Sequence, residues 1–178
     1  MANSVLKSTK PRFILRHVKL ADATAFFECQ QDKESKRNFM STPKDIKKVR
    51  ASIMRDILEY KKKNPHFEDF AIEVDGKCVG FIWLGEISYG FFKHRASIGY
   101  CVHKDFRGKG IGSKAIKLVT DHAFKKYKLK RIYTYTRTFN KGSRKALEKA
   151  GYKCEGILKK NKFKDRKYLD DCIYAKVK

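Results

Sequence analysis

A chain of 178 residues, 42% hydrophobic and 35% charged, can bury a core without covalent staples and suits one domain better than two. Its formal charge of +24 is uneven, +7 over residues 1–100 and +17 over residues 101–178; Lys outnumbers Arg 32 to 11, which fits a solvated lysine surface better than forked phosphate or base recognition. Five scattered cysteines (Cys29, Cys78, Cys101, Cys154 and Cys172) exclude a disulfide framework or zinc site and read as packing residues, and no secretory leader or membrane-length apolar run is visible, so the chain reads as cytoplasmic and membrane-free.

Arg12 to Val18 predicts a first strand, and Ala21 to Gln31 a helix with Ala25, Phe26 and Cys29 on one face. Thr42-Pro43 reads as a helix start, Thr42 as N-cap and Pro43 at the first helical position. Ile46, Val49, Ile53, Ile57 and Tyr60 continue that helix to about Lys63. Phe67 to Val74 and Cys78 to Ile87 predict a hairpin turning at Asp75-Gly76. Ala96 to Val102 is a fourth strand, and Gly110 to about Lys126 a helix burying Ile111, Ala115, Leu118 and Val119. Arg131 to Arg137 is a fifth strand and Lys141 to Ala150 a helix ended by Gly151; strands near Tyr152 to Leu158 and Lys167 to Val177 close the chain.

Between the fourth strand and its helix lies Phe106-Arg107-Gly108-Lys109-Gly110-Ile111-Gly112-Ser113-Lys114. Three glycines in five positions let successive backbone N–H groups converge on one point, the helix adds the positive end of its dipole, and Arg107 and Lys109 add charge. The residues alone fit a pyrophosphate of a nucleotide, a dinucleotide or coenzyme A. A P-loop is excluded because Ser113 precedes Lys114, and G-x-G-x-G is not the dinucleotide spacing.

The remaining pattern is R-x-x-G-x-G (Arg107, Gly110, Gly112), followed by Asn140-x-x-Ser143 and Lys149-Ala-Gly151-Tyr152. It resembles the GNAT superfamily of acetyl-CoA-dependent N-acetyltransferases. Ile98-Gly-Tyr100, the stretch Glu148 to Gly156 and Tyr168-Leu-Asp170 are similar to the RimJ/RimL branch, which acetylates protein N-termini, notably of ribosomal proteins. The resemblance covers about Arg12 to Ala175, so residues 1–11 read as an N-terminal extension and 12–178 as a single domain. It implies an α+β fold: a twisted, mostly antiparallel sheet of about seven strands, its fourth and fifth parallel and splayed, flanked by about four helices.

The same resemblance implies acetyl-CoA as donor, coenzyme A as product and no metal. Backbone groups around Tyr100, Cys101 and Val102 would receive the pantetheine arm and polarise the thioester carbonyl, an oxyanion-type arrangement. The segment Arg107, Gly108, Lys109, Gly110, Ile111, Gly112 and Ser113 would hold the pyrophosphate, with Asn140 and Ser143 facing it across the cleft. Two positions depart from the family. Ser97 stands where relatives often carry a carboxylate, and Leu147 where many carry the tyrosine that protonates the thiolate. Ser143 is the substitute donor, and Glu86, closing the third strand, the candidate base acting through water. Asp170 reads as a hairpin partner or substrate contact, His103 as a strand-end polar residue, His122 as packing.

Weak base equipment suits an α-amine, of which roughly a quarter is deprotonated near neutral pH, against roughly one in a thousand for a lysine amine. A protein or peptide N-terminus is therefore the expected acceptor, with ribosome association as a corollary and RNA contact not required. The alternatives are a polyamine or aminoglycoside acetyltransferase, a non-catalytic acyl-CoA-binding module and an RNA- or ribosome-binding protein. Monomer and homodimer are equally compatible with the sequence.

Overall fold

The computed structural model describes residues 6–178. In chain order it has β1 (Leu6–Thr9), β2 (Arg12–His17), α1 (Ala23–Glu28), α2 (Lys33–Asn38), α3 (Ile46–Tyr60), β3 (Glu68–Val74), β4 (Lys77–Gly85), β5 (Arg95–Val102), α4 (Ile111–Lys126), β6 (Arg131–Arg137), α5 (Lys141–Lys149), β7 (Lys153–Lys164) and β8 (Lys167–Val177). The strands form one open sheet ordered β1-β2-β3-β4-β5-β6-β8-β7, with β5 and β6 as its one parallel pair. Among the described residues no helix is long and apolar enough to cross a membrane.

Alternation along the strands covers both faces. On β3, Phe70 and Ile72 join the core under α4, while Ala71 points to the other face and packs with Phe26 of α1 and with Val49 and Ile53 of α3. The α4 stripe buries Ile111, Ala115, Ile116, Val119, Ala123 and Phe124; Leu118, expected within it, is half-buried. Asp75 (φ 47°) and Gly76 (φ 76°) both adopt the left-handed conformation that a tight two-residue hairpin turn requires.

Four boundaries differ from the sequence reading. Residues 6–9, read as part of an extension, form β1 and pair with β2, so the sheet begins before residue 12. The second helix starts at Ile46 rather than at Pro43, because the Asp45 carboxylate accepts the Lys48 N–H at 2.9 Å and caps the helix more effectively than Thr42. The segment after α1 holds a further helix, α2, whose polar sequence carries no apolar stripe; Asp32 caps it by accepting from the Glu34 and Ser35 amides. β7 runs to Lys164 past the predicted end at Leu158, because register shifts between Leu158 and Lys162 interrupt its alternation. Of the cysteines expected to pack, Cys29, Cys101 and Cys172 are buried, Cys78 is half-buried, and Cys154 is exposed on this edge strand.

Glu68 opens β3 fully buried. Its carboxylate accepts from Lys126 Nζ (2.7 Å) and Tyr127 Oη (2.7 Å) and lies 3.0 Å from His17 Nε2 and 2.9 Å from His122 Nε2, tying β2, β3 and α4 together. His122, expected to pack, does so edge-on against Phe70 and also holds this charge.

Candidate active site

Pairing between β5 and β6 lasts three residues, Arg95–Ser97 against Arg131–Tyr133, and then the two strands part. From Ile98 onward one edge of β5 has no strand beside it. The His103 N–H bonds to Val79 O on β4 at 2.8 Å, so by antiparallel alternation the odd-numbered residues of β5 turn their backbone groups toward β4. Ile98 and Tyr100 present theirs to the opening, as Val102 does its N–H, its carbonyl being taken by Arg107, whereas those of Cys101 are used within the sheet. The Cys101 thiol points to α1 and donates to Cys29 O at 3.1 Å.

A cavity of about 830 Å³ fills the gap, bounded by β5, β6, the glycine loop and the start of α5. Gly108 (φ 75°) and Gly110 (φ 78°) are left-handed, and Gly110 is the N-cap of α4, so the first amides of a sixteen-residue helix open onto the loop. Ile111 anchors the turn in the core, and Ser113 Oγ donates to Gly110 O at 3.0 Å. Lys109 folds back over the Phe106 ring, its Nζ 5.1 Å from the centroid.

Arg107 is placed differently from its sequence reading as a free charge. Its guanidinium bonds to both Asp32 oxygens (3.0 and 2.8 Å), Glu34 (3.0 Å), Ser35 Oγ (2.8 Å) and Val102 O (2.9 Å), so it pins the start of α2 to the end of β5. Burial pushes the Asp32 carboxyl up, but hydrogen bonds from Arg107 and Ser35 outweigh it and hold Asp32 well below the ordinary carboxylate range. Arg107→Ala is expected to cost about 2–4 kcal/mol of stability, between a surface and a buried pair. Denaturant unfolding checks this; an unchanged midpoint would show the clamp to be dispensable.

On the far wall Asn140 caps α5, its Oδ1 accepting the Ser143 N–H at 3.0 Å, and Ser143 Oγ accepts from the Tyr100 hydroxyl at 3.2 Å. Leu147 is buried in the core and has no access to the cavity. At the mouth Glu86 sits just past β4 with φ 53°, its carboxylate accepting from the Tyr133 hydroxyl. Ser97 pairs with both Gly85 and Tyr133, so this carboxylate enters from the neighbouring strand end beside the position where relatives carry one. Burial and the Glu86 charge push the Tyr133 phenol up to about 12.

Among the wall residues that escaped the sequence reading are Trp83, Tyr133 and the buried ion pair Arg137–Asp171. A Cβ on Gly99 would stand 2.0 Å from the Trp83 ring, so that glycine is there to seat the indole against β5. The alternating Tyr133-Thr-Tyr-Thr-Arg137 run was the available signal, but only the splay exposes it. His103 and Asp170 stand outside the cavity lining; Asp170 accepts from Lys159 Nζ (3.0 Å) and the Lys160 N–H (2.8 Å) and braces the last hairpin. Among the described residues there is no cluster that could hold a metal ion.

An elongated polar ligand with a pyrophosphate at one end fits this lining. The left-handed glycines open the loop, β5 offers an unpaired backbone edge, and Arg137 Nε is a buried donor without a partner.

Comparison with known proteins gives the same assignment. Residues 12–153 match the family described as acetyltransferase (GNAT) domain. The chain is similar to the Probable N-acetyltransferase YjcK of Bacillus subtilis, 38% identical over 109 residues, and spans only 60% of that protein's length (59% of this chain). It is 28% identical to the Spermidine N(1)-acetyltransferase of Escherichia coli over 59% of this chain and 57% of that protein. With the Ribosomal-protein-serine acetyltransferase of the same organism it shares 26% over 78% and 74%. Mycobacterium smegmatis RimJ, solved in complex with CoA-disulfide, superposes with a TM-score of 0.82 at 26% identity, covering 98% of this chain and 86% of the other.

Proposed function

Because the chain belongs to the GNAT acetyltransferase family, whose members use acetyl-CoA, we propose that it acetylates a protein N-terminal α-amine. The charge of the cavity wall carries this reading. Asp171 is spent on Arg137, and Asp32 and Glu34 on Arg107, which leaves one carboxylate, Glu86, against Lys145, Lys149 and Lys162. Such a wall repels a polycation such as spermidine and accepts one amine followed by an extended chain. The Escherichia coli relative named for a ribosomal-protein serine supports a ribosomal protein as acceptor.

In this reading the glycine-loop amides and the open edge of β5 at Tyr100 and Val102 bind the donor, and Asn140 sets the start of α5. When bound, acetyl-CoA supplies the thioester that the amine attacks. Glu86, oriented by Tyr133, takes the amine's proton through water, and Ser143 Oγ donates to the departing sulfur. The α-amine loses its own proton near neutrality, so modest help from Glu86 suffices.

Free-N-terminus peptides with Lys replaced by Arg are therefore expected to outcompete N-terminally blocked Lys peptides and spermidine in mass-spectrometric competition with acetyl-CoA. Log kcat/KM should rise with pH and level near about pH 8, where the α-amine is deprotonated. Faster acetylation of blocked Lys peptides or of spermidine would overturn the acceptor, and tight acetyl-CoA binding without turnover of any amine would overturn catalysis.

A further inference from the structure

The family's proton-donating tyrosine has no counterpart on α5, where Leu147 is buried, yet a phenol reaches the same helix from the opposite wall. Tyr100 leaves β5 toward α5, and its hydroxyl lies 3.2 Å from Ser143 Oγ, both residues lining the cavity. A phenol is a far stronger acid than an alcohol, so in this hydroxyl pair the tyrosine donates and the serine oxygen accepts. That bond has a consequence for the serine. With a lone pair engaged by Tyr100, the Ser143 hydrogen is left to point elsewhere, and an alcohol that accepts a hydrogen bond is a better donor through its own hydrogen.

Two further features hold the phenol in place. Gly112 has no left-handed backbone to explain it, but a Cβ there would stand 3.1 Å from Tyr100 Cε2, so glycine at this position leaves room for the ring. Burial raises the Tyr100 pKa, which keeps its proton in place and its hydroxyl a donor. The third glycine of the loop thus serves the tyrosine as well as the amides.

We propose that Tyr100 is a positioning residue that, from β5, fixes Ser143 as the hydrogen donor of the cavity, the serine serving where Leu147 cannot. The proposal rests on Ser143 acting as donor in the acetyl transfer above, and it assigns no proton transfer to Tyr100 itself.

The test is a double-mutant cycle on the full chain. Ser143→Ala is expected to lower kcat about 100-fold and Tyr100→Phe about tenfold, with the acetyl-CoA KM little changed, and the double variant should be no slower than Ser143→Ala. An equal tenfold loss from Tyr100→Phe in both backgrounds would overturn the coupling while leaving Ser143 as donor. Wild-type turnover by Ser143→Ala would remove Ser143 from the reaction and this proposal with it, leaving the acceptor untouched. A readout without turnover accompanies the kinetics. In donor-free protein carrying 13C at the tyrosine ζ-carbons, the signal lost in Tyr100→Phe should shift on Ser143→Ala; an unmoved signal would show that the two hydroxyls are not bonded in solution.

Discussion

Gly110→Val is expected to weaken acetyl-CoA binding by about 100-fold while the protein stays folded. Gly110 caps α4 at φ 78°, where a β-branched residue is strained by about 1–2 kcal/mol, and relieving that strain turns the first α4 amides away from their common point. Loss of one charge-assisted hydrogen bond adds about 1.5–3 kcal/mol, and at their lower ends these together amount to about two orders of magnitude in affinity. Space is not the cause, since the nearest atom to a Cβ there is Pro11 Cδ at 3.9 Å. Calorimetric titration decides the matter: wild-type affinity in a folded variant would place the phosphate site elsewhere.

Glu68→Ala should cost about 3–5 kcal/mol, because His17, His122, Lys126 and Tyr127 would face a hole instead of a carboxylate. The pH dependence has a definite sign. Burial pushes the Glu68 carboxyl up, but the hydrogen bonds from His122 and His17, the field of His122 and the Lys126 bond prevail and hold it well below the ordinary carboxylate range. A carboxyl depressed on folding stabilises above its unfolded pKa of about 4.3, and that stability is lost as pH falls through the lower folded value. The gap between wild type and variant should therefore be full above about pH 5 and narrow toward about pH 3. Urea unfolding across that range measures it, and a constant gap would mean that the carboxylate's charge contributes nothing.

Both predictions show how far the sequence reaches. Strand and helix periods placed the elements from Phe67 to Arg137 almost to the residue, because half-buried strands and amphipathic helices write their periods directly into the chain. The glycine loop was legible for a related reason: Gly108 and Gly110 occupy backbone conformations that other residues resist. Elements without an apolar stripe were not legible. Polar α2 and the lysine-rich extension of β7 form because tertiary neighbours hold them, Arg107 gripping Asp32 at the start of α2 and Lys164 Nζ bonding Phe39 O just past its end.

The cavity itself belongs to the tertiary structure. Ser97 and Leu147 mark two missing functional groups in the sequence, for which the sequence offers Glu86 and Ser143 as substitutes without saying what surrounds them. The fold brings Glu86 from the end of β4 beside Ser97 and Tyr100 from β5 against Ser143, across 43 residues of chain. Local pattern determined most of the strands, the glycine loop and the motifs that carry the family, since each rests on short-range period or backbone conformation. The direction of Arg107, the acceptor-side charge and the partner of Ser143 were decided by packing, because each depends on which side chains the splay of β5 from β6 brings within hydrogen-bonding distance.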